Sequence, residues 1–208
     1  MIHAVVFDLG GVVFPSPFDA FDAYDHAHGL APGTVRALIR TSSEQGAWAA
    51  LERGELQMPD FFTALEAEAA DNGFVLDARR LMEGIGNRLG PRPQMVRAIE
   101  RIREEGLKTA ALTNNWVATE GTPVTSDLAR LAFDVVVESS VEGLRKPDPR
   151  IYELTLDRLG VEPPATVFLD DLGINLKPAR AMGMTTIKVV DPDVALAELG
   201  RVLGFPLT

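Results

Sequence analysis

The sequence predicts an α/β protein built on a parallel sheet, with a helical unit inserted after the first strand. Three observations carry this. Short apolar or β-branched runs recur at residues 5–7, 109–112, 135–137, 167–169 and 186–190, as expected of strands covered on both faces. Most of the segments between them have helical periodicity, the alternation that marks a parallel sheet. Finally, about a hundred residues separate the first run from the second, far more than a βα crossover needs.

The first strand, in "AVVFDLGGVVF", delivers Asp8 and is followed by a turn through Gly10 and Gly11. Residues 18–88 then read as successive helices: "FDAFDAYDHAHGL", "PGTVRALIRTSS", "GAWAALERGEL", "MPDFFTALEAEAADNG" and "LDARRLMEGIG". Pro15 and Pro17 mark one end of this unit and "GPRP" at 90–93 the other, as hinges of a small second domain do. The predicted division is a core of residues 1–15 and 91–208 and a helical insert of 16–90. A helix starting near Pro93 places Val96, Ile99 and Ile102 on one face, and another after Pro149 places Ile151, Leu154 and Leu159 before Gly160. Both have proline at the start and glycine past the end.

Composition narrows the function. The 208 residues are 46% hydrophobic and 24% charged, which is ordinary for a globular protein. A formal net charge of −10 argues against nucleic acid or an anionic membrane as partner. With no cysteine, disulfides and thiolate metal sites are excluded, and the chain suits a reducing cytoplasm. The start carries no basic leader and no apolar stretch is long enough to span a bilayer, so a soluble cytoplasmic protein is expected.

In open parallel sheets the binding crevice lies at the carboxyl ends of the strands, where the strand order reverses. Those ends carry Asp8, then Thr113, Asn114 and Asn115 of "LTNN", then Glu138 and Ser139 ahead of Lys146 in "RKPDP", then Asp170 and Asp171 of "FLDD". Right-handed crossovers permit the order 3-2-1-4-5, which sets Asp8 between Thr113 and the acidic pair. Singly, each has a plain reading: a turn aspartate, a helix cap, solvated acids, an exposed loop lysine. Together, at successive strand ends, they describe a phosphoryl-transfer rim. Clustered carboxylates call for a hard cation such as Mg²⁺. Thr113 and the Asn114 N–H are placed to hold phosphoryl oxygens, Lys146 to cancel charge, and Asp8 to attack phosphorus.

"FDLGGVVF", "LTNN", "RKPDP" and "FLDDLGINLKPARAMGMTTIKV" resemble the four motifs of the haloacid dehalogenase superfamily, and the likeness spans nearly the whole chain. It is nearest to the subgroup holding the amino-terminal phosphatase domain of soluble epoxide hydrolases and a related domain of an acyl-CoA dehydrogenase fusion protein. The resemblance implies a Rossmann-like core with a helical cap over the site and a small phosphorylated substrate. It makes Asp8 the nucleophile, with Thr113 and Lys146 binding phosphate and Asp171 and the Gly10 carbonyl ligating Mg²⁺. Asp170 becomes a supporting acid near Lys146 or a further ligand, and Asn175 a support for the loop.

One position departs from the pattern. Phosphatases of the family usually carry an aspartate two residues after the nucleophile as general acid and base, a role that contributes about 10²–10⁴ in rate. Here that residue is Gly10. Asp19, Asp22, Asp25, His26 and His28 of the insert are candidate replacements, each with a solvated helix face as its plainer reading. Trp48 with Leu51 reads as core of the insert, and Trp116 as a ligand contact or a packing contact with the insert. The expected function is a Mg²⁺-dependent phosphatase. A 2-haloacid dehalogenase, which lacks the second aspartate and needs no metal, is the alternative, followed by a catalytically silent binding or regulatory module.

Overall fold

A computed structural model describes residues 1–86, 90–117 and 132–207. The chain begins with β1 (Ala4–Phe7) and enters five helices: α1 (Phe18–Ala27), α2 (Thr34–Ser42), α3 (Ala47–Glu52), α4 (Met58–Asp71) and α5 (Ala78–Gly86). It returns through α6 (Pro93–Glu104) to β2 (Lys108–Thr113) and β3 (Val135–Glu138). Helices α7 (Ser139–Glu142) and α8 (Pro149–Leu159) lead to β4 (Thr166–Asp170), α9 (Gly173–Ala181), β5 (Thr185–Lys188) and α10 (Pro192–Leu203).

The strands form one parallel sheet in the order β3-β2-β1-β4-β5, the doubly wound arrangement expected from the sequence. Alternation along β1 sorts the core into two layers. Val5 and Phe7 pack with Met95, Ile99 and Ile102 of α6 and Leu196 and Leu199 of α10. Ala4 and Val6 face the other way, onto Ile151, Tyr152 and Leu156 of α8 and Leu176 of α9.

Details differ from the expectation. The last strand lies at 185–188 rather than 186–190, because its pairing with β4 ends at Asp170 opposite Lys188, and Val190 is exposed. The buried face of α6 is Met95, Ala98, Ile99 and Ile102, leaving Val96 at its edge. In α8, Tyr152 and Leu156 take the inward places and Leu154 is half-buried. Ser139 starts α7 instead of ending β3.

Helices α1–α5 share a separate apolar cluster that includes Phe21, Val35, Leu51, Phe61, Leu65 and Leu81. Trp48 stands edge-on to Phe21 and Phe61, with ring centroids 5.3 and 5.8 Å away, so it is a core residue of the insert as read. Asp25 is not on a solvated face: it is buried and accepts from the backbone N–H of Gly33 (2.8 Å) and Val35 (3.2 Å), closing the turn between α1 and α2. The two linkers of the insert run side by side, Arg92 N–H donating to the Val13 carbonyl at 2.7 Å. Arg88, given to the insert by the sequence, lies outside the described residues. Among the described residues no helix is long and apolar enough to cross a membrane.

Candidate active site

Because β1 lies between β2 and β4, the residue that leaves β1 stands where the sheet's winding reverses. That residue is Asp8. Its Oδ1 accepts from the Leu9 N–H at 2.7 Å and lies 2.8 Å from Lys146 Nζ. The same ammonium is 2.7 Å from Asp170 Oδ2. Lys146 is 1% exposed, so the plain reading of an exposed loop lysine is overturned: it bridges two carboxylates inside the protein. Burial works against its charge, but Asp170 and Asp8 outweigh burial and hold its pKa above the usual lysine range. Burial pushes the Asp8 carboxyl well up, Lys146 opposes this, and Asp170 and Asp171 add to the rise.

Asp170 is a buried acid, not a solvated cap. Besides Lys146, it accepts from the Leu172 N–H (2.8 Å) and from Asn175 Nδ2, 3.0 Å from one oxygen and 3.1 Å from the other. Asn175 thus ties the start of α9 to Asp170, and its own carbonyl accepts from the Tyr152 hydroxyl at 2.7 Å. Asp171 is half-buried, its carboxyl raised to about 6 by burial and by Asp170. Carboxylate oxygens of Asp8, Asp170 and Asp171 come within 4.8 Å of one another. Lys146 is paired with two of these acids, Asp8 and Asp170, and the donors of the cluster are all hard oxygens. This set fits a divalent cation such as Mg²⁺. Since both oxygens of Asp170 are engaged, Asp8 and Asp171 are the residues that would hold it.

The loops after β2 and β3 interlock. Asn114 clamps the Lys146 peptide, its Oδ1 accepting from the Lys146 N–H (2.8 Å) and its Nδ2 donating to the Lys146 carbonyl (3.0 Å). Asn115 Nδ2 donates to Glu138 (2.8 Å), and its Oδ1 accepts from the Ser140 hydroxyl (2.8 Å). Thr113 stands beside them at the end of β2, but it is buried with its hydroxyl toward the Asn114 carbonyl (3.4 Å). It does not line the cavity, and neither does Asp170.

That cavity, of about 590 Å³, lies between the strand ends and the insert. Asp8, Gly10, Lys146 and Asp171 form its floor, with aromatic walls from Phe18, Phe21, Trp48 and Trp116. Trp116 meets Trp48 with ring centroids 5.9 Å apart, so it serves both readings, ligand wall and packing contact. None of Asp19, Asp22, Asp25, His26 or His28 is on the wall. Asp22 instead pairs with Arg36 at 2.6 Å, and His28 stacks on Tyr24. The acids of the insert that do reach the cavity are Glu44 and Glu52, met by Arg145 from the core. Sequence reading missed these three, since Arg145 and Glu52 are 93 positions apart and nothing local links them.

A doubly wound core with a buried carboxylate and lysine centre at its switch point, open to a cavity, defines an α/β enzyme core. The chain belongs to the haloacid dehalogenase-like hydrolases, whose sequence pattern matches residues 2–183. It is 41% identical over 209 residues to mouse acyl-CoA dehydrogenase family member 10, covering 99% of this chain and 19% of that protein. It is 34% identical over 220 residues to pig bifunctional epoxide hydrolase 2, covering 99% of this chain and 40% of that protein. This chain therefore spans well under half of either relative. A sesquiterpene phosphatase of Aspergillus oryzae is 28% identical, covering 97% of this chain and 96% of its own. Solved structures that share the fold include two with informative ligands. One is a Bacteroides thetaiotaomicron family enzyme in complex with magnesium and inorganic phosphate (TM-score 0.62, 18% identity, 90% of this chain and 94% of that one). The other is Xanthobacter autotrophicus L-2-haloacid dehalogenase with chloropropionic acid covalently bound (TM-score 0.61, 23% identity, 97% and 83%).

Proposed function

We propose that this hydrolase is a Mg²⁺-dependent phosphatase that cleaves a small phosphorylated metabolite through an aspartyl-phosphate on Asp8. The observation that carries the reading is the asymmetry of the Asp8 carboxylate. Lys146 and the Leu9 N–H both engage Oδ1, while no hydrogen bond among the described residues reaches Oδ2. One oxygen is held and the other is available for attack.

In this reading Oδ2 attacks phosphorus and the bond to the leaving oxygen breaks; that oxygen takes its proton from water. A water then attacks the aspartyl-phosphate, releasing inorganic phosphate and restoring Asp8. Lys146 keeps its proton throughout and offsets negative charge on nucleophile and phosphoryl group. The Asn114 clamp fixes the peptide from which Lys146 reaches in; the Asn114 N–H is a proposed phosphoryl donor, and Thr113, buried just behind the cavity wall, joins it by turning its hydroxyl away from the Asn114 carbonyl. Mg²⁺, held by Asp8, Asp171 and the Gly10 carbonyl, would neutralise phosphoryl charge. Residues 16–90 act as a cap that covers the core of 1–15 and 91–208 and limits water access. The phosphatase relative supports the substrate class, as does the three-acid cluster, whose excess negative charge suits a metal-bound phosphate better than a free anionic haloacid.

The test is release of inorganic phosphate from acetyl phosphate, p-nitrophenyl phosphate and alkyl phosphates, with and without Mg²⁺. Release that needs both Mg²⁺ and Asp8, and is lost in Asp8→Asn, supports the reading. Metal-independent halide release from 2-chloropropionate, with no phosphate release, overturns it in favour of the dehalogenase.

A further inference from the structure

We infer that Glu52, at the end of α3, is a positioning residue for the phosphate-side loops, holding them in their working arrangement when α3 is seated on the core. This rests on the phosphatase reading and adds a coupling between cap and site.

Glu52 belongs to the insert, yet its partners lie mostly in the core. Its Oε2 accepts from Arg145 Nε at 2.7 Å and from Asn114 Nδ2 at 3.2 Å, while Oε1 accepts from Trp48 Nε1 at 2.9 Å. Arg145 immediately precedes Lys146, and Asn114 immediately follows Thr113. Asn114 also clamps both polar groups of the Lys146 peptide, so Glu52 is the third corner of a triangle joining the two loops. The Glu52 and Arg145 side chains are only 9% and 17% exposed, so this charge pair is largely shielded from solvent. Glu44 also reaches Arg145, at 2.5 Å, but its side chain is 61% exposed and stands at the rim.

A second contact fixes the height of α3. Gly54, just past its end, has φ +70, and a Cβ there would run into the Ser140 carbonyl oxygen of α7. Only glycine permits this approach of backbone to backbone. Ser140 is itself held by Asn115, so α3 rests on the loops after both β2 and β3. All three groups facing the Glu52 oxygens are N–H donors, from Arg145, Asn114 and Trp48, so the side chain serves as an acceptor that aligns the loops.

If α3 lifts, Asn114 and Arg145 lose their shared acceptor and the peptide of Lys146 loses one of its restraints. Misplacement of a reacting group by about 1 Å can cost on the order of 10²-fold in rate. The test compares Glu52→Ala, Arg145→Ala and the double variant by p-nitrophenyl phosphate turnover with Mg²⁺, by titration with inorganic phosphate, and by thermal melting. Arg145→Ala leaves the Glu52–Trp48 bond in place and so reports even where Glu52→Ala folds poorly.

Each single variant should lower kcat by roughly 10- to 100-fold and weaken phosphate binding, with the double no worse than the worse single, as for residues acting as one unit. Wild-type kcat and phosphate affinity in the folded single variants, or effects that multiply in the double, overturn the inference and leave the phosphatase reading standing. A wild type that binds phosphate without turning over any ester overturns that reading, and the titration alone then decides on Glu52, equal affinities in all variants overturning it. A wild type with neither turnover nor phosphate binding overturns both.

Discussion

Gly11 lies against Asp171 so closely that a Cβ on it would occupy the space of the Asp171 carboxylate, and its φ of +80 is in the left-handed region. The turn after Asp8 thus brings bare backbone against the acid proposed to hold the metal. Gly11→Ala should displace Asp171, cost about 1–3 kcal/mol from backbone strain alone, and weaken Mg²⁺ binding at least tenfold. Calorimetric titration with Mg²⁺ and thermal melting check this; wild-type affinity in the variant would refute it.

Gly10 behaves differently. A Cβ there meets only Pro17 Cδ, at 3.5 Å, which is ordinary contact. Gly10→Asp should therefore fold. In the phosphatase reading, with no side-chain acid at this position, a poor leaving group would depart as its anion and be protonated by water only afterwards, so the wild type should show a steep dependence of phosphorylation rate on leaving-group pKa and a burst with reactive substrates. Gly10→Asp should flatten that slope and raise alkyl phosphate turnover by about 10²-fold or more. Single-turnover kinetics over aryl and alkyl phosphates measure both slopes. A shallow slope in the wild type would place the proton donor elsewhere.

Lys146 bridges Asp8 and Asp170 inside the protein. Lys146→Met leaves two buried carboxylates without their cation, so it should lose activity and about 3–5 kcal/mol of stability, as broken buried pairs do. Adding Asp170→Asn should recover part of the stability and none of the activity. Urea unfolding decides, and a single variant as stable as wild type would sink the bridging role.

The Asp171 carboxyl sits at about 6, above its ordinary 3.8, because of burial and Asp170. The folded state therefore binds this proton more tightly than the unfolded chain. The corresponding stability is present below pH 3.8 and is lost as pH rises through about 6, a change of about 1–3 kcal/mol. In metal-free protein, melting curves of wild type and Asp171→Asn should diverge over that window, with the wild type losing ground by several degrees. Adding Mg²⁺ at pH 7.5 should restore the wild type only. Parallel pH curves would contradict the assignment.

Asp25, a sequence candidate for the missing acid, accepts two backbone N–H bonds between α1 and α2. Asp25→Ala should cost about 1–3 kcal/mol through unsatisfied donors. Its kcat should stay within twofold of wild type at a temperature where the variant is folded; a large loss of kcat there would return Asp25 to the mechanism.

The sequence by itself determined the doubly wound sheet, the helical insert and the residues at the strand ends. Each is written in a local signal: apolar runs at 5–7 and 167–169, "GGVV" after Asp8, and lengths between strands that only an insertion explains. Such features depend on neighbours a few positions apart, which periodicity and turn chemistry record. Only the tertiary structure decided that Lys146 is buried between Asp8 and Asp170 and that Asp170 has no oxygen to spare. It alone separated Gly11, which must be glycine, from Gly10, which has room for a side chain. It also put Glu52 of the insert on Arg145 and Asn114 of the core, pairs separated by 93 and 62 positions. Burial and charge pairing are properties of where distant segments meet, and no window of sequence contains both partners.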